Sequence, residues 1–222
     1  MLFRSFRKLG ASVDWSKFTF TLDQKIIDQA YATFKKLWDD GLIYTGERLV
    51  NFCTFHGTAF ADIEVEYKQL KGNLWYIKYP LTNQTDSIIV ATTRPETMLG
   101  DVAVAVNPTD TRYSHMVGKT VTLPLTGREI PVIADTMVDP NFGTGVVKIT
   151  PAHDPNDYAV AERHNLPKIT VIGHDGLMTP EAGKPYMKLD VTSARKQVVA
   201  DLTSQGLLQK TVKHENSVDR KS

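Results

Sequence analysis

The spacing of apolar and polar positions changes character along the chain. Over residues 1 to about 45 the pattern is helical. Ile26, Ile27, Ala30, Phe34, Leu37 and Trp38 recur at the spacing of one helix face. Thr21-Leu22-Asp23-Gln24 fits a capping box, with Thr21 at the N-cap and Gln24 reaching back. Gly41 follows as the C-cap. From about residue 48 the period shortens to two. Residues 63–69 alternate apolar and charged, Lys71-Gly72-Asn73 reads as a turn, and residues 74–79 read as the returning strand. Further strands are expected over 87–93, 102–106, 146–150 and 169–172. Residues 120–125 and 129–134 form a hairpin pattern about Thr126-Gly127. Helices are expected over 95–99, 155–164 and 191–205. The last of these has Val191, Ala194, Val198, Val199 and Leu202 on one face and Gly206 after it. The polar residues 213–222 predict a frayed end. Many short strands with turns between them predict an α+β fold, mainly β. Its core is barrel-like, carries short helices and is preceded by a helical flank.

Composition narrows the class. With 26 basic and 25 acidic residues in 222, the formal charge is +1. A protein that grips a long nucleic acid usually needs a basic surface, so only contact with one end of such a chain remains in view. Cys53 is the single cysteine, which excludes an internal disulfide. Cys53 and His56 supply two ligands where a closed zinc site takes four, so no metal is expected. No apolar run approaches the roughly 20 residues needed to span a bilayer. The start carries Arg4, Arg7 and Lys8 without a secretory apolar core, so an intracellular protein is expected.

Two segments carry chemistry. In Thr92-Thr93-Arg94-Pro95-Glu96-Thr97, Thr93 as N-cap, Pro95 in the first turn and Glu96 as partner form a capping box. A functional reading adds that a helix start offers N–H groups to an anion, with hydroxyls and Arg94 lining the site. The second segment is Gly143-Thr144-Gly145 through Asp157. Asp154 as N-cap before Pro155 has a complete structural explanation, and Asp157 in the first turn suits the helix dipole. Neither explanation covers Lys148 and Thr150, two apart and so on one face of the preceding strand, nor Phe142 upstream. Together they form a wall with a ring, a cation, a hydroxyl and two acids. The acids suit an ammonium group or a water to be activated. Gly143-Thr144-Gly145 precedes a strand, the wrong order for a dinucleotide fingerprint. No Gly-x-Ser-x-Gly elbow is present. A metal phosphohydrolase built on His153-Asp154, with Asp157 or His164, lacks a full ligand set. His153 reads as a structural histidine.

The runs Ile89 through Asp101, Gly127-Arg128-Glu129-Ile130-Pro131, Phe142 through Asp157 and Arg163-His164-Asn165-Leu166-Pro167 resemble the editing domain of the valyl-tRNA synthetase family. This is the insertion called connective peptide 1 in class I synthetases. Lys148-Ile149-Thr150 before Pro151-Ala152-His153-Asp154 looks specifically valyl. Leu9 through Trp15 and Gly41-Leu42-Ile43-Tyr44 resemble the catalytic-domain piece that leads into the insertion. Phe52 stands where tryptophan is usual, and Cys53-Thr54-Phe55-His56 lacks a second cysteine. The resemblance divides the chain into a helical catalytic-domain segment (1–48), connecting strands (49–80), the editing domain (81–212) and a polar tail (213–222).

The resemblance implies proofreading in the cytoplasm. A pocket for valine cannot strongly reject the near-isosteric threonine; the valyl enzyme is itself the standard case, at about a hundredfold. A second site then hydrolyses the ester of threonyl-tRNA(Val). Valine is spared because it lacks the hydroxyl that this site hydrogen-bonds. Asp157, Asp154 and Thr93 are the implied catalytic set. Asp157 takes the ammonium and reads the threonine hydroxyl, and Asp154 helps hold that end. Arg94, Thr97, Phe142, Lys148 and Thr150 are implied to bind the threonyl moiety or the terminal adenosine of the tRNA. Water is the nucleophile, assisted by a ribose hydroxyl, and no cofactor is implied. The expected partners are the 3′ end of aminoacylated tRNA(Val) and the remainder of the synthetase, with no membrane. Neither His-Ile-Gly-His nor Lys-Met-Ser-Lys-Ser occurs, so a fragment without aminoacylation capacity is expected, its first helix having an uncovered apolar face. The alternative is a module that binds the tRNA acceptor end without catalysis.

Overall fold

The run Ala103-Val104-Ala105-Val106 is buried at every position, and its alternate faces enter different cores. Val104 and Val106 join the larger core with Ile77, Tyr79, Val90 and Leu99. Ala103 and Ala105 face a smaller one with Val138, Ile149 and Val160. A strand covered on both faces reads as a continuous apolar run, as this one does. The computed structural model describes residues 2–82 and 85–221. In chain order its elements are α1 (Leu2–Lys8), α2 (Gln24–Asp39), β1 (Asn51–Cys53), β2 (Thr58–Phe60), β3 (Val65–Pro80), β4 (Ser87–Thr92), β5 (Ala103–Val106), β6 (Thr120–Thr122), β7 (Glu129–Ala134), β8 (Val146–Ile149), α3 (Pro155–His164), α4 (Val191–Ser204) and β9 (Leu208–Lys221). A 3-10 helix covers Pro95–Gly100.

The chain forms two compact units, residues 1–48 and 49–222. In the first, α2 leaves Phe34 and Trp38 about half exposed, at 55% and 49%, and buries none of its own residues. Its end is a Schellman motif: Gly41 at φ 71° donates to Trp38 O, and Leu42 donates to Leu37 O. Its start departs from expectation. Asp23, not Thr21, is the N-cap, and its carboxylate accepts the Phe20 N–H at 3.0 Å instead of closing a capping box.

In the second unit three open sheets replace the expected barrel; among the described residues no closed barrel forms. Their orders are β1-β2, β4-β3-β9 and β6-β7-β5-β8. In the last, β5 runs parallel to β7 and antiparallel to β8. The β6–β7 hairpin forms as expected, with Gly127 at φ 71° in its connection. The turn expected at Lys71-Gly72-Asn73 does not form. β3 runs straight through it because β9 supplies a partner at each position, Gly72 opposite His214 and Asn73 opposite Lys213. The same pairing orders residues 213–221, so the expected frayed tail is strand as far as Lys221. Residues 169–172 form no continuous strand. Ile172 makes one isolated bridge with Met178, and the Val171 N–H goes to the His153 ring at 2.9 Å.

Candidate active site

β8 delivers Lys148 inward. Thr150 and Pro151 follow, and the chain turns into α3 at Asp154. The Asp154 carboxylate accepts from Asn156 N at 2.8 Å and Asp157 N at 3.2 Å, with Pro155 in the first turn. That cap fixes where Asp157 stands. Across from it, β4 ends at Thr92 and the 3-10 helix begins. The sequence pattern placed Thr93 at the N-cap with Glu96 as its partner, but neither plays that part. Arg94 is the N-cap residue, Thr92 Oγ1 accepts its N–H at 3.1 Å, and the Thr97 N–H is taken by Arg94 O at 3.1 Å. Those amides are thus occupied, and the Thr93 side chain is released toward the space between the two segments. Glu96 is fully buried and bound bidentately by Arg195 of α4, at 2.8 Å to each oxygen.

The space between them is a cleft of about 370 Å³. Thr93, Arg94, Thr97, Phe142, Lys148, Thr150, Asp154 and Asp157 all line it, so the structure brings together every site residue expected from sequence. Leu74 and His214, from β3 and β9, close one side.

Phe142 rides on the loop between β7 and β8. It is 58% exposed, with its ring 6.3 Å from that of His214. Arg112 donates to Pro140 O at 2.7 Å, and Tyr113 donates to Thr144 O at 3.0 Å, which ties both limbs of this loop down. Gly145 is required there. Its φ is +76°, and a Cβ would stand 2.9 Å from Pro140 O.

Beneath the cleft lies a buried polar network. Lys148 Nζ donates to Thr97 Oγ1 at 3.0 Å, to Asp101 Oδ1 at 3.1 Å and to Thr150 Oγ1. Thr150 Oγ1 donates to Asp101 Oδ1 at 2.6 Å, and the Tyr79 hydroxyl donates to Asp101 Oδ2 at 2.7 Å. Burial pushes the Asp101 carboxyl up, against the pull of Lys148 and these hydrogen bonds. Burial and the Asp101 charge push the Tyr79 phenol well above its ordinary range. Neither Asp101 nor Tyr79 bears a functional signal in the sequence. The available signal was Lys148 itself, since a lysine inside an apolar strand calls for a buried anion.

The charges then sort themselves. Lys148 is matched by Asp101 and Arg195 by Glu96. Arg94, half exposed, donates to His153 O at 3.1 Å. Asp157 is left without a cationic partner. Its Oδ2 accepts the Thr150 N–H at 2.8 Å, and Oδ1 takes no hydrogen bond from the described residues. Burial raises it to about 6, opposed by the Lys148 charge and the Thr150 amide and reinforced by Asp154 and Asp101. His153 is lowered to about 4 by burial and by the Arg94 and Lys148 charges. Its Nε2 accepts from Val171 N, so the ring stands neutral in the cleft wall. Cys53 Sγ lies 3.3 Å from His56 Nδ1, and no group of three or more metal-ligating side chains occurs among the described residues. Nor is any described helix long and apolar enough to cross a membrane.

Comparison with known proteins gives the family. The family described as tRNA synthetases class I (I, L, M and V) matches residues 2–151, and that described as leucyl-tRNA synthetase, editing domain, matches residues 109–214. The valine--tRNA ligase of Parasynechococcus marenigrum (strain WH8102) is 54% identical over 212 residues, and that of Symbiobacterium thermophilum 53% identical over the same length. Each alignment covers 96% of this chain and 23% of the relative, so the chain spans about a quarter of their length. The crystal structure of GlLeuRS-CP1 shares the fold at 16% identity and a TM-score of 0.50, over 63% of this chain and 98% of that one. The chain belongs to the class I tRNA synthetases (I, L, M and V), as a valine--tRNA ligase segment that spans part of the synthetase region and the editing domain.

Proposed function

We propose that this chain performs post-transfer editing: it hydrolyses the ester of threonyl-tRNA(Val) and spares valyl-tRNA(Val). The observation that carries this reading is the state of Asp157. It is 7% exposed and faces the cleft with one oxygen unpaired, and burial raises its carboxyl to about 6. At neutral pH it is ionised and can accept from an α-ammonium and from a side-chain hydroxyl in the same cleft. A charge-assisted hydrogen bond contributes about 1.5–3 kcal/mol, and a substrate without the hydroxyl leaves its buried partner unpaired. Valine and threonine differ in that group.

The remaining residues take roles that their positions allow. Phe142, exposed at the cleft edge, offers a face to the terminal adenine. Arg94, half exposed, faces a phosphate or ribose oxygen. Thr93, with its hydroxyl uncommitted among the described residues, and Asp154 complete the polar wall. Lys148, Thr97 and Thr150 are fixed by their own network, which holds the cleft in shape. Water attacks the ester carbonyl, the bond from the acyl carbon to the ribose oxygen of the terminal adenosine breaks, and that oxygen leaves as a hydroxyl carrying a proton from the water, with no covalent enzyme intermediate. The partners on this reading are the 3′ end of tRNA(Val) and the remainder of a cytoplasmic synthetase.

The test is direct. The chain is incubated with threonyl- and valyl-charged tRNA(Val), with and without a chelator. Selective loss of threonine, insensitive to chelator and abolished in Asp157→Ala, supports the reading. Binding without turnover favours a module that only docks the acceptor end. A trapped aminoacyl-enzyme rejects the water mechanism.

A further inference from the structure

The Lys148 ammonium, in the cleft wall, is turned onto buried acceptors. Each of the three N–H donors of Lys148 has a buried acceptor: Thr97 Oγ1, Thr150 Oγ1 and Asp101 Oδ1. Asp101 is fully buried and lies behind the cleft wall rather than in its lining. Its two oxygens are met by three donors, from Lys148, Thr150 and Tyr79. The Thr150 hydroxyl already accepts from Lys148, so its own proton points at Asp101. A neutral acid would place a fourth proton among these donors, so the arrangement is that of a carboxylate. Its backbone is pinned as well: Arg128 Nη2 donates to Leu99 O at 2.6 Å and to Asp101 O at 3.1 Å.

We propose that Asp101 is a positioning residue of the cleft: the buried counter-ion that cancels Lys148 and fixes it with Thr150, leaving the Asp157 charge free for the substrate ammonium. An opposite charge within about 4–6 Å pulls a carboxyl down by about 1–3 pH units, and Lys148 is the strongest such influence on Asp157. Asp101 acts in the opposite sense and also cancels that cation. Without it, Lys148 has no ion-pair partner and competes with the substrate for Asp157. The other charged groups lining the cleft are Asp154 at the α3 cap and Arg94, with Glu96 buried behind them near His153. They are unchanged by substitution at Asp101.

The test follows Asp157 by carboxyl carbon NMR titration of the full chain. In Asp101→Asn the Asp157 midpoint is expected to fall from about 6 by about one pH unit. Adding Lys148→Met removes the second charge and is expected to bring the midpoint back toward the parent value. Simple loosening of the core would also lower the midpoint by admitting water, but a second core substitution would not restore it. A midpoint unmoved in Asp101→Asn, or as low in the double variant as in the single one, overturns the proposal. If Asp101→Asn does not fold, Tyr79→Phe replaces it. Loss of its hydrogen bond should raise the Asp101 midpoint and lower that of Asp157 by less, and no movement of either overturns the proposal.

A kinetic arm rests on the deacylation reading. KM for threonyl-tRNA should rise about tenfold in Asp101→Asn with kcat changing less, the loss of one charge-assisted contact. A fall in kcat at unchanged KM counts against it. Absence of turnover by the parent chain refutes the deacylation reading alone and leaves the titration to decide on Asp101.

Discussion

Replacing Asp157 with asparagine is expected to make the fold more stable while abolishing deacylation. Burial raises this carboxyl from 3.8 to about 6, even against the Lys148 charge and the Thr150 N–H. At about 1.36 kcal/mol per pH unit, the ionised side chain is disfavoured in the native state by roughly 3 kcal/mol relative to the unfolded chain. Between 3.8 and about 6 the folded state binds more protons than the unfolded one. The contribution of Asp157 is therefore most favourable below 3.8 and is lost as pH rises through about 6. Asparagine has the shape of the neutral acid, and its amide oxygen can still accept the Thr150 N–H. The variant should gain up to about 3 kcal/mol at pH 7.5, and that gain should vanish near pH 4. Urea unfolding of parent and variant at these two pH values measures it. A variant equal to or weaker than the parent at pH 7.5 would refute the claim that the cleft holds an ionised carboxylate against its burial. Gain of stability with loss of activity is the expected sign of a group kept for chemistry.

Three other outcomes follow from the same structure. His153, lowered from 6.5 to about 4, contributes stability that is full above 6.5 and lost as pH falls toward 4, roughly 3 kcal/mol in all. In the parent the opposite trend of Asp157 offsets most of this; in Asp157→Asn, unfolding measured from pH 7 to pH 4 should reveal the full decline. Arg195→Ala leaves Glu96 buried and without its bidentate partner, and should reduce unfolding free energy by about 3 kcal/mol in urea titrations. That is the lower end for a broken buried pair, because the Arg195 side chain is 37% exposed and its removal admits water. Gly145→Ala should lose about 2 kcal/mol by the same assay, since its φ of +76° and the Pro140 carbonyl leave no room for a Cβ. It should also weaken binding of the tRNA end through a misplaced Phe142.

The local parts of the site were legible in the sequence because their causes are local. Asp154-Pro155 announces a helix start, Thr126-Gly127 a hairpin, and the spacing of Lys148 and Thr150 a shared strand face. Distant causes were not legible. The turn signal at Lys71-Gly72-Asn73 yields to β9, whose residues lie far along the chain but pair with each of these three positions. Thr93 and Glu96 carry the residue types of a capping box, yet Glu96 is claimed by Arg195, 99 residues away. Short strands with turns between them fit a barrel and also fit three open sheets, because alternation fixes which face is buried and not which edges pair. Asp101 needed the three-dimensional network, for nothing in its neighbours marks it as the partner of Lys148.

The most direct test of the central claim is the rate of ester hydrolysis against pH for threonyl- and valyl-tRNA(Val), on the same chain. The threonyl rate should fall on the acid side with a midpoint near 6, as Asp157 takes up its proton, and the valyl rate should lie far below it throughout. Equal rates for the two esters, or a threonyl rate with no change near pH 6, would contradict that claim.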